Sequence, residues 1–247
     1  MRLLLTVAVL VLNVSGLANA DCSGQALKEV DVCYNKFIAG YGMAYPPLPE
    51  YWAFHDVRRG WLDKQGLAVQ QKICDIGNGL VSCTKPNRNC IDKKIFATMG
   101  QNSSDAQNYY TDLLLTEYQC TPRGLDLMMK NFYCIATCRE HNQAKMDACN
   151  NALLPNVIIH GRCPAYGIFM DCMGDIYTNC CGAGAGEFFC GTTRAGINAM
   201  DDTCDKQGKL KQCKQAPGSS PVAAVHEPST AEISEAAAQL QRILAVV

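Results

Sequence analysis

Residues 67–83 read LAVQQKICDIGNGLVSC, and this stretch decides the fold class. Val69, Ile73, Ile76, Leu80 and Cys83 recur at steps of 4, 3, 4 and 3, which places them along one face of an α-helix. A strand would need alternation at every second residue, and Gln70-Gln71-Lys72 interrupts any such pattern. The pattern recurs on the C-terminal side. Ser103 or Ser104 is placed to cap a helix running to Cys120, with Asp105 in its first turn and Ala106, Tyr110, Leu113 and Leu114 on one side. Leu125, Met128, Phe132 and Ile135 continue it, and only a short run at Val157–His160 reads as strand-like. The expectation is an all-α fold.

The cysteines extend this reading over the chain. All 16 lie between Cys22 and Cys213, in a sequence of 247 residues with near-zero net charge and 48% apolar residues. That balance excludes general electrostatic attraction to nucleic acid and excludes a disordered chain. Cys22/Cys33, Cys83/Cys90, Cys134/Cys138 and Cys190/Cys204 are separated by near-whole numbers of helical turns, as expected of cysteines that staple packed helices. The remaining cysteines, Cys74, Cys120, Cys149, Cys163, Cys172, Cys180, Cys181 and Cys213, complete an even set. Up to eight disulfides are expected, in a disulfide-stapled helical array with little or no sheet. On the order of two million connectivities are open, so the pairing stays undetermined. No Cys-x2-Cys occurs, and His55, His141, His160 and His226 show no ligand spacing, so neither metal nor cofactor is expected.

The ends of the chain carry address signals. Met1–Ala20 has a basic Arg2, an apolar run of about ten residues from Leu3 to Leu12, and a small-x-small site at Ala18-Asn19-Ala20, the pattern of a secretory signal peptide. The run is too short to span a membrane, and no later stretch is long enough. The cysteine-rich region 21–214 is read as the helical domain, with a subdivision near 155–162 as an alternative. Pro155 and Pro164 flank the connection there, and Gly182, Gly184 and Gly186 are expected to interrupt any helix. Residues 215–230 have the Pro/Ser/Gly/Ala composition of a flexible linker. Residues 231–247 carry Ile233, Ala237, Leu240, Leu244 and Val247, the stripe of a short amphipathic helix.

Candidate chemistry is sparse. Cys180-Cys181 lacks the neighbouring His and calcium loop of a secreted phospholipase, no Gly-x-Ser-x-Gly elbow occurs, and His55-Asp56 lacks the serine of a triad. No catalytic residue is assigned. Residues 41–61, YGMAYPPLPEYWAFHDVRRGW, crowd aromatics and prolines together. They read either as a Pro-stiffened loop packed over the helices or as a contact surface formed by Tyr45, Tyr51, Trp52, Arg58 and Arg59. Asn102-Ser103-Ser104 is an N-glycosylation sequon.

Several short elements resemble a known family: Asp21-Cys22, Cys33-Tyr34-Asn35, Tyr51, His55-Asp56-Val57-Arg58, Gly66-Leu67, Cys74, Gly77-Asn78, Cys83, Cys90, 99–106 (MGQNSSDA) and Asn131-Phe132-Tyr133-Cys134. Together they resemble the nematode secreted cysteine-rich proteins of the chondroitin proteoglycan 4 type and related nematode secreted domains. The resemblance implies a secreted helical disulfide-bonded module with matrix or eggshell-type roles. Chondroitin attachment requires Ser-Gly, and beyond the signal region Ser23-Gly24 is the single instance, beside Cys22 with no acidic cluster. Glycosaminoglycan carriage is therefore not expected. The function expected is a non-enzymatic binding or structural role in the extracellular space, toward an extracellular protein or glycan. A hydrolase with a site assembled across loops and a carrier of small apolar ligands are the alternatives.

Overall fold

The structure, a computed structural model, describes Cys22 and residues 24–216. The signal peptide at 1–20, most of the linker and the C-terminal helix read from the sequence lie outside the described residues. Within them the chain is helical, with no strand. The order is α1 (Gly24–Gly40), α2 (Tyr51–Gln65), a 3₁₀ turn (Gly66–Val69), α3 (Gln70–Thr84), a second 3₁₀ segment (Lys85–Cys90), α4 (Lys93–Thr98), α5 (Ser103–Gln119), α6 (Pro122–His160), α7 (Arg162–Cys181), α8 (Ala183–Met200) and α9 (Thr203–Lys206).

The decisive stretch folds as read, with its face rotated. Val69 ends the 3₁₀ turn, and α3 buries Gln70, Ile73, Cys74, Gly77, Leu80 and Thr84. Ile76 and Cys83 sit at the edge of that face, half-buried. α5 is the joint of the molecule: it packs on α2, α3 and α4 on one side and on α6 and α8 on the other. Leu113 and Leu115 are buried while Tyr110 and Leu114 are only half-buried, a correction to the expected shared side. Three consecutive leucines span more arc than one apolar stripe, so they serve two packing directions.

Two expected breaks are each narrowed to a single glycine, Gly161 and Gly182. Val157–His160 is the last turn of α6, which continues through Pro155. α6 bends instead at Asn142 (φ −121°, ψ 18°). A four-residue apolar run has no period of its own, and the preceding helix decides its state. Likewise Gly184 and Gly186 lie inside α8, and only Gly182 interrupts. Gly161 (φ 81°) and Gly182 (φ 89°) each close one helix and open the next, a left-handed conformation that side-chain-bearing residues rarely adopt. The α6–α7–α8 unit is therefore linked by single glycines.

Eight disulfides use all 16 cysteines. Cys22–Cys90, Cys33–Cys83 and Cys74–Cys120 hold the N-terminal helices. Cys134–Cys181, Cys138–Cys180 and Cys149–Cys172 rivet α6 to α7, Cys163–Cys204 ties α7 to α9, and Cys190–Cys213 ties α8 to the segment that follows α9. No bridge joins a residue before 121 to one after 133, so the two disulfide frameworks are joined by the chain itself, by packing and by hydrogen bonds such as Gln107 Nε2 to the Ala199 carbonyl oxygen. The expected helical register holds for Cys134 and Cys138 on α6. It does not explain the other three pairs: Cys22 precedes α1, Cys90 lies in a 3₁₀ segment, and Cys190 and Cys204 stand on different helices. A disulfide needs proximity across helices, which spacing along one chain segment does not specify.

Candidate functional site

The stretch at 41–61 is mostly helix, since α2 begins at Tyr51, and three of its rings, those of Tyr41, Tyr51 and Phe54, are buried. Tyr41, Phe54 and Tyr51 join Tyr34, Phe37, Phe96 and Tyr109 in one aromatic cluster, with Phe54 and Phe96 each stacked on Tyr109 (5.9 and 5.7 Å between centroids). Of the five residues read as a contact surface, Tyr51 and Arg58 are thus interior. Arg58 Nη1 and Nη2 donate to Asp112 of α5 at 3.1 and 2.5 Å, both side chains being about nine-tenths buried. The guanidinium also lies 4.9 Å from the Phe54 ring centroid. Burial disfavours its charge, but Asp112, Tyr51 and Tyr41 outweigh that and hold its pKa above the usual value. Burial also pushes the Tyr41 hydroxyl up to about 12. Trp52 stays 47% exposed, Tyr45 is half-buried and donates to Asp31, and Arg59 pairs with Asp63. His55 is buried at 3% exposure, its Nδ1 3.5 Å from Asp56 Oδ1. The alternation of aromatic and charged residues resembled a surface because sequence does not reveal Asp112 as the internal partner.

Beside Arg58 and Asp112 an enclosed cavity of about 40 Å³ reaches Gln119 and Thr116, room for about one water rather than an acyl chain.

A larger concavity lies elsewhere, where the two disulfide frameworks meet. It is a groove of about 480 Å³, within the range of small-molecule and peptide sites. α5 supplies Leu114 and Tyr118, α8 supplies Gly191, Ala195 and Asn198, and Gln212 and Cys213 form the far wall. Gly191 is required here: a Cβ at that position would stand 2.1 Å from Tyr118 Cζ. The Tyr118 hydroxyl donates to the Glu187 carbonyl oxygen at 3.2 Å, fixing the ring that floors the groove.

The rim is charged but internally paired. Arg88 pairs with Glu117, Arg123 with Glu187 (2.6 Å), and Arg194 with Asp205. Asn198 Nδ2 donates to Asp205 Oδ2 at 2.9 Å, whereas its Oδ1 is buried with no partner among the described residues. Among the described residues that acceptor is the one fully buried side-chain atom of the groove wall without a hydrogen-bond partner, and an uncompensated buried acceptor is costly.

Glu187 closes the groove at one end. Its carboxylate accepts from Arg123 Nε and Nη2 at 3.0 and 2.6 Å and from the Ala216 backbone N–H at 2.7 Å. Burial raises its pKa, but these hydrogen bonds outweigh burial and hold it below the ordinary 4.5. A depressed carboxylate stabilises the fold fully above its unfolded pKa and loses that contribution as pH falls through the folded value. The thermal midpoint of Glu187→Gln should therefore lie below that of the parent at pH 7, with the gap closing as pH drops below 4.5. A gap that is constant from pH 7 to pH 3 would refute the clamp.

Asn102, the sequon residue, is exposed and is itself the N-cap of α5, one position before the expected Ser103 or Ser104. Its Oδ1 accepts from the Asp105 N–H at 2.9 Å, and its Nδ2 donates to the Asp105 carboxylate at 3.2 Å. Ser104→Ala removes the sequon without touching the cap. In a glycosylating host it should lose the mass of one N-glycan while changing stability by less than about 0.5 kcal/mol. Asn102→Ala should lose the same mass and about 1 kcal/mol, read by thermal melting of the deglycosylated proteins.

The groove was not legible in the sequence. Its one signal was the surplus leucine: with Leu113 and Leu115 committed to buried packing, Leu114 needed a second destination. Among the described residues no helix is long and apolar enough to cross a membrane. No family model, curated protein or solved structure matches this chain.

Proposed function

We propose that this is a secreted, non-enzymatic, disulfide-stapled binding protein that receives an extracellular protein or glycan in the groove between α5, α8 and the C-terminal segment. The observation that carries the reading is the groove itself. It has apolar walls from Leu114, Tyr118 and Ala195 and a paired charged rim. Such a site can bury an apolar part of a partner while its rim meets polar groups. Its wall presents no histidine, its one cysteine is in a bridge, and its carboxylates are engaged by arginines, which supports binding over hydrolysis. The 40 Å³ of the inner cavity counts against an acyl carrier. The full cysteine pairing and the signal-like Met1–Ala20 fit an oxidising, extracellular setting. They also fit the resemblance to nematode secreted cysteine-rich domains.

The test is retention of the secreted protein on a panel of extracellular-matrix proteins and glycans. The parent should be retained without turning the ligand over. Leu114→Arg, which places a long cation in the groove from a half-exposed position, should abolish retention, and Trp52→Ala should leave it intact. Retention that survives Leu114→Arg, or turnover of a panel member, overturns the reading.

A further inference from the structure

The bridges Cys134–Cys181 and Cys138–Cys180 lie side by side, because two cysteines one turn apart on α6 face two consecutive cysteines at the end of α7. Consecutive helical residues point in different directions. Cys181 is accordingly buried and Cys180 exposed. The Sγ atoms of Cys134, Cys180 and Cys181 all lie within 4.8 Å of one another, so Cys180, although bonded to Cys138, sits against the neighbouring bridge. Cys134 Sγ is also 3.7 Å from the Cys180 carbonyl oxygen. At the bend of α6, Asn142 directs its Nδ2 toward Cys138 Sγ at 3.6 Å and Cys180 Sγ at 3.9 Å.

We propose that these four cysteines form a thiol–disulfide exchange site, opened by an external thiol at Cys180 and able to pass the free thiol on to Cys181. A thiolate of a small extracellular thiol attacks the exposed Cys180 Sγ. The bond to Cys138 breaks, its electron pair leaves on Cys138 Sγ, and a mixed disulfide forms at Cys180. Two features make Cys138 the better leaving sulfur. The Asn142 N–H lies closer to it, and Cys180 stands at the C-terminal end of α7, where the helix dipole disfavours negative charge.

A second external thiolate then attacks the sulfur of the mixed disulfide that came from the small thiol, releasing the external disulfide and a Cys180 thiolate. Cys138 takes up a proton. The protein has gained two electrons and the two external thiols have been oxidised. The Cys180 thiolate next attacks Cys134 Sγ, the Cys134–Cys181 bond breaks, and Cys181 leaves as the thiolate and is protonated. This step is redox-neutral. Attack on Cys181 instead would link consecutive residues, whose Cα atoms stand about 3.8 Å apart, closer than ordinary disulfides allow. The product holds Cys134–Cys180, with thiols on Cys138 and Cys181, both of which are buried in the native fold.

The experiment exposes the intact oxidised protein to reduced glutathione near neutral pH. Aliquots are quenched in acid, denatured, alkylated and read by fragment sequencing in a mass spectrometer. Glutathione should first occupy Cys180 with the label on Cys138. Label should then move to Cys138 and Cys181 as a Cys134–Cys180 linkage accumulates, and Asn142→Ala should slow the first step several-fold. Opening of a different bridge first, or label that stays on Cys138 and Cys180, overturns the proposal. Should the variant misfold, the parent time course decides by itself.

Discussion

Arg58→Met should unfold about 3–5 kcal/mol more easily than the parent protein, a fall of roughly 6–20 °C in thermal midpoint. Methionine fills much of the arginine's volume but leaves the Asp112 carboxylate inside without the two guanidinium donors that now hold it at 2.5 and 3.1 Å. Only the Tyr51 hydroxyl, 3.4 Å away, remains as a donor. The loss should be large because the pair is shielded from bulk solvent: the Arg58 and Asp112 side chains are 11% and 7% exposed, unlike the surface pairs such as Lys130–Asp126, whose contributions are screened. The diagnostic is the double variant Arg58→Met/Asp112→Leu, which should recover most of the loss, since an apolar pair has no charge to leave stranded. Calorimetry of the three oxidised proteins measures this. If the double variant is as unstable as the single, Arg58 acts through its packing on Phe54 rather than through the ion pair.

Replacing Cys33 and Cys83 together by alanine should cost about 4 kcal/mol, the loop-closure entropy released when a 50-residue separation is no longer constrained. The bridge joins α1 to α3, the two helices that enclose the aromatic cluster from one side, and Cys33 is itself buried. The loss should appear as a lower denaturant midpoint with an unchanged helical spectrum. It should add to the effect of Arg58→Met if the sites are independent. A cost below about 1 kcal/mol would mean that packing of α1 alone already orders this half of the molecule.

These two variants mark how far the sequence could be read. The stapled, all-α character followed from local information: apolar residues at steps of three and four along 67–83, and an even set of cysteines in a chain with almost no period-two alternation. Asn102 as a sequon and Pro46, Pro47 and Pro49 as a break between helices are likewise local facts. Assignments that depended on which helix lies opposite were less secure. The stripe on α3 was displaced toward Gln70 and Gly77 because α1 and α5 together decide which arc of it is covered. Tyr51 and Arg58 were read among surface candidates because an aromatic next to a cation resembles a binding patch until a buried aspartate fifty-four positions away is placed against it.

What the sequence by itself determined is therefore the covalent and local part of the protein: helices, their breakers, and sixteen cysteines that would find partners. Only the tertiary structure decided which of the many pairings forms, that the bridges fall into two sets with no link across residues 121–133, and that a groove opens where the sets meet. The physical reason is one of range. Helical periodicity and turn chemistry act over a few residues, whereas a disulfide, a buried ion pair or a groove wall requires two segments to meet in space. Which segments meet is set by the packing of whole helix faces, and no single stretch of chain contains that information.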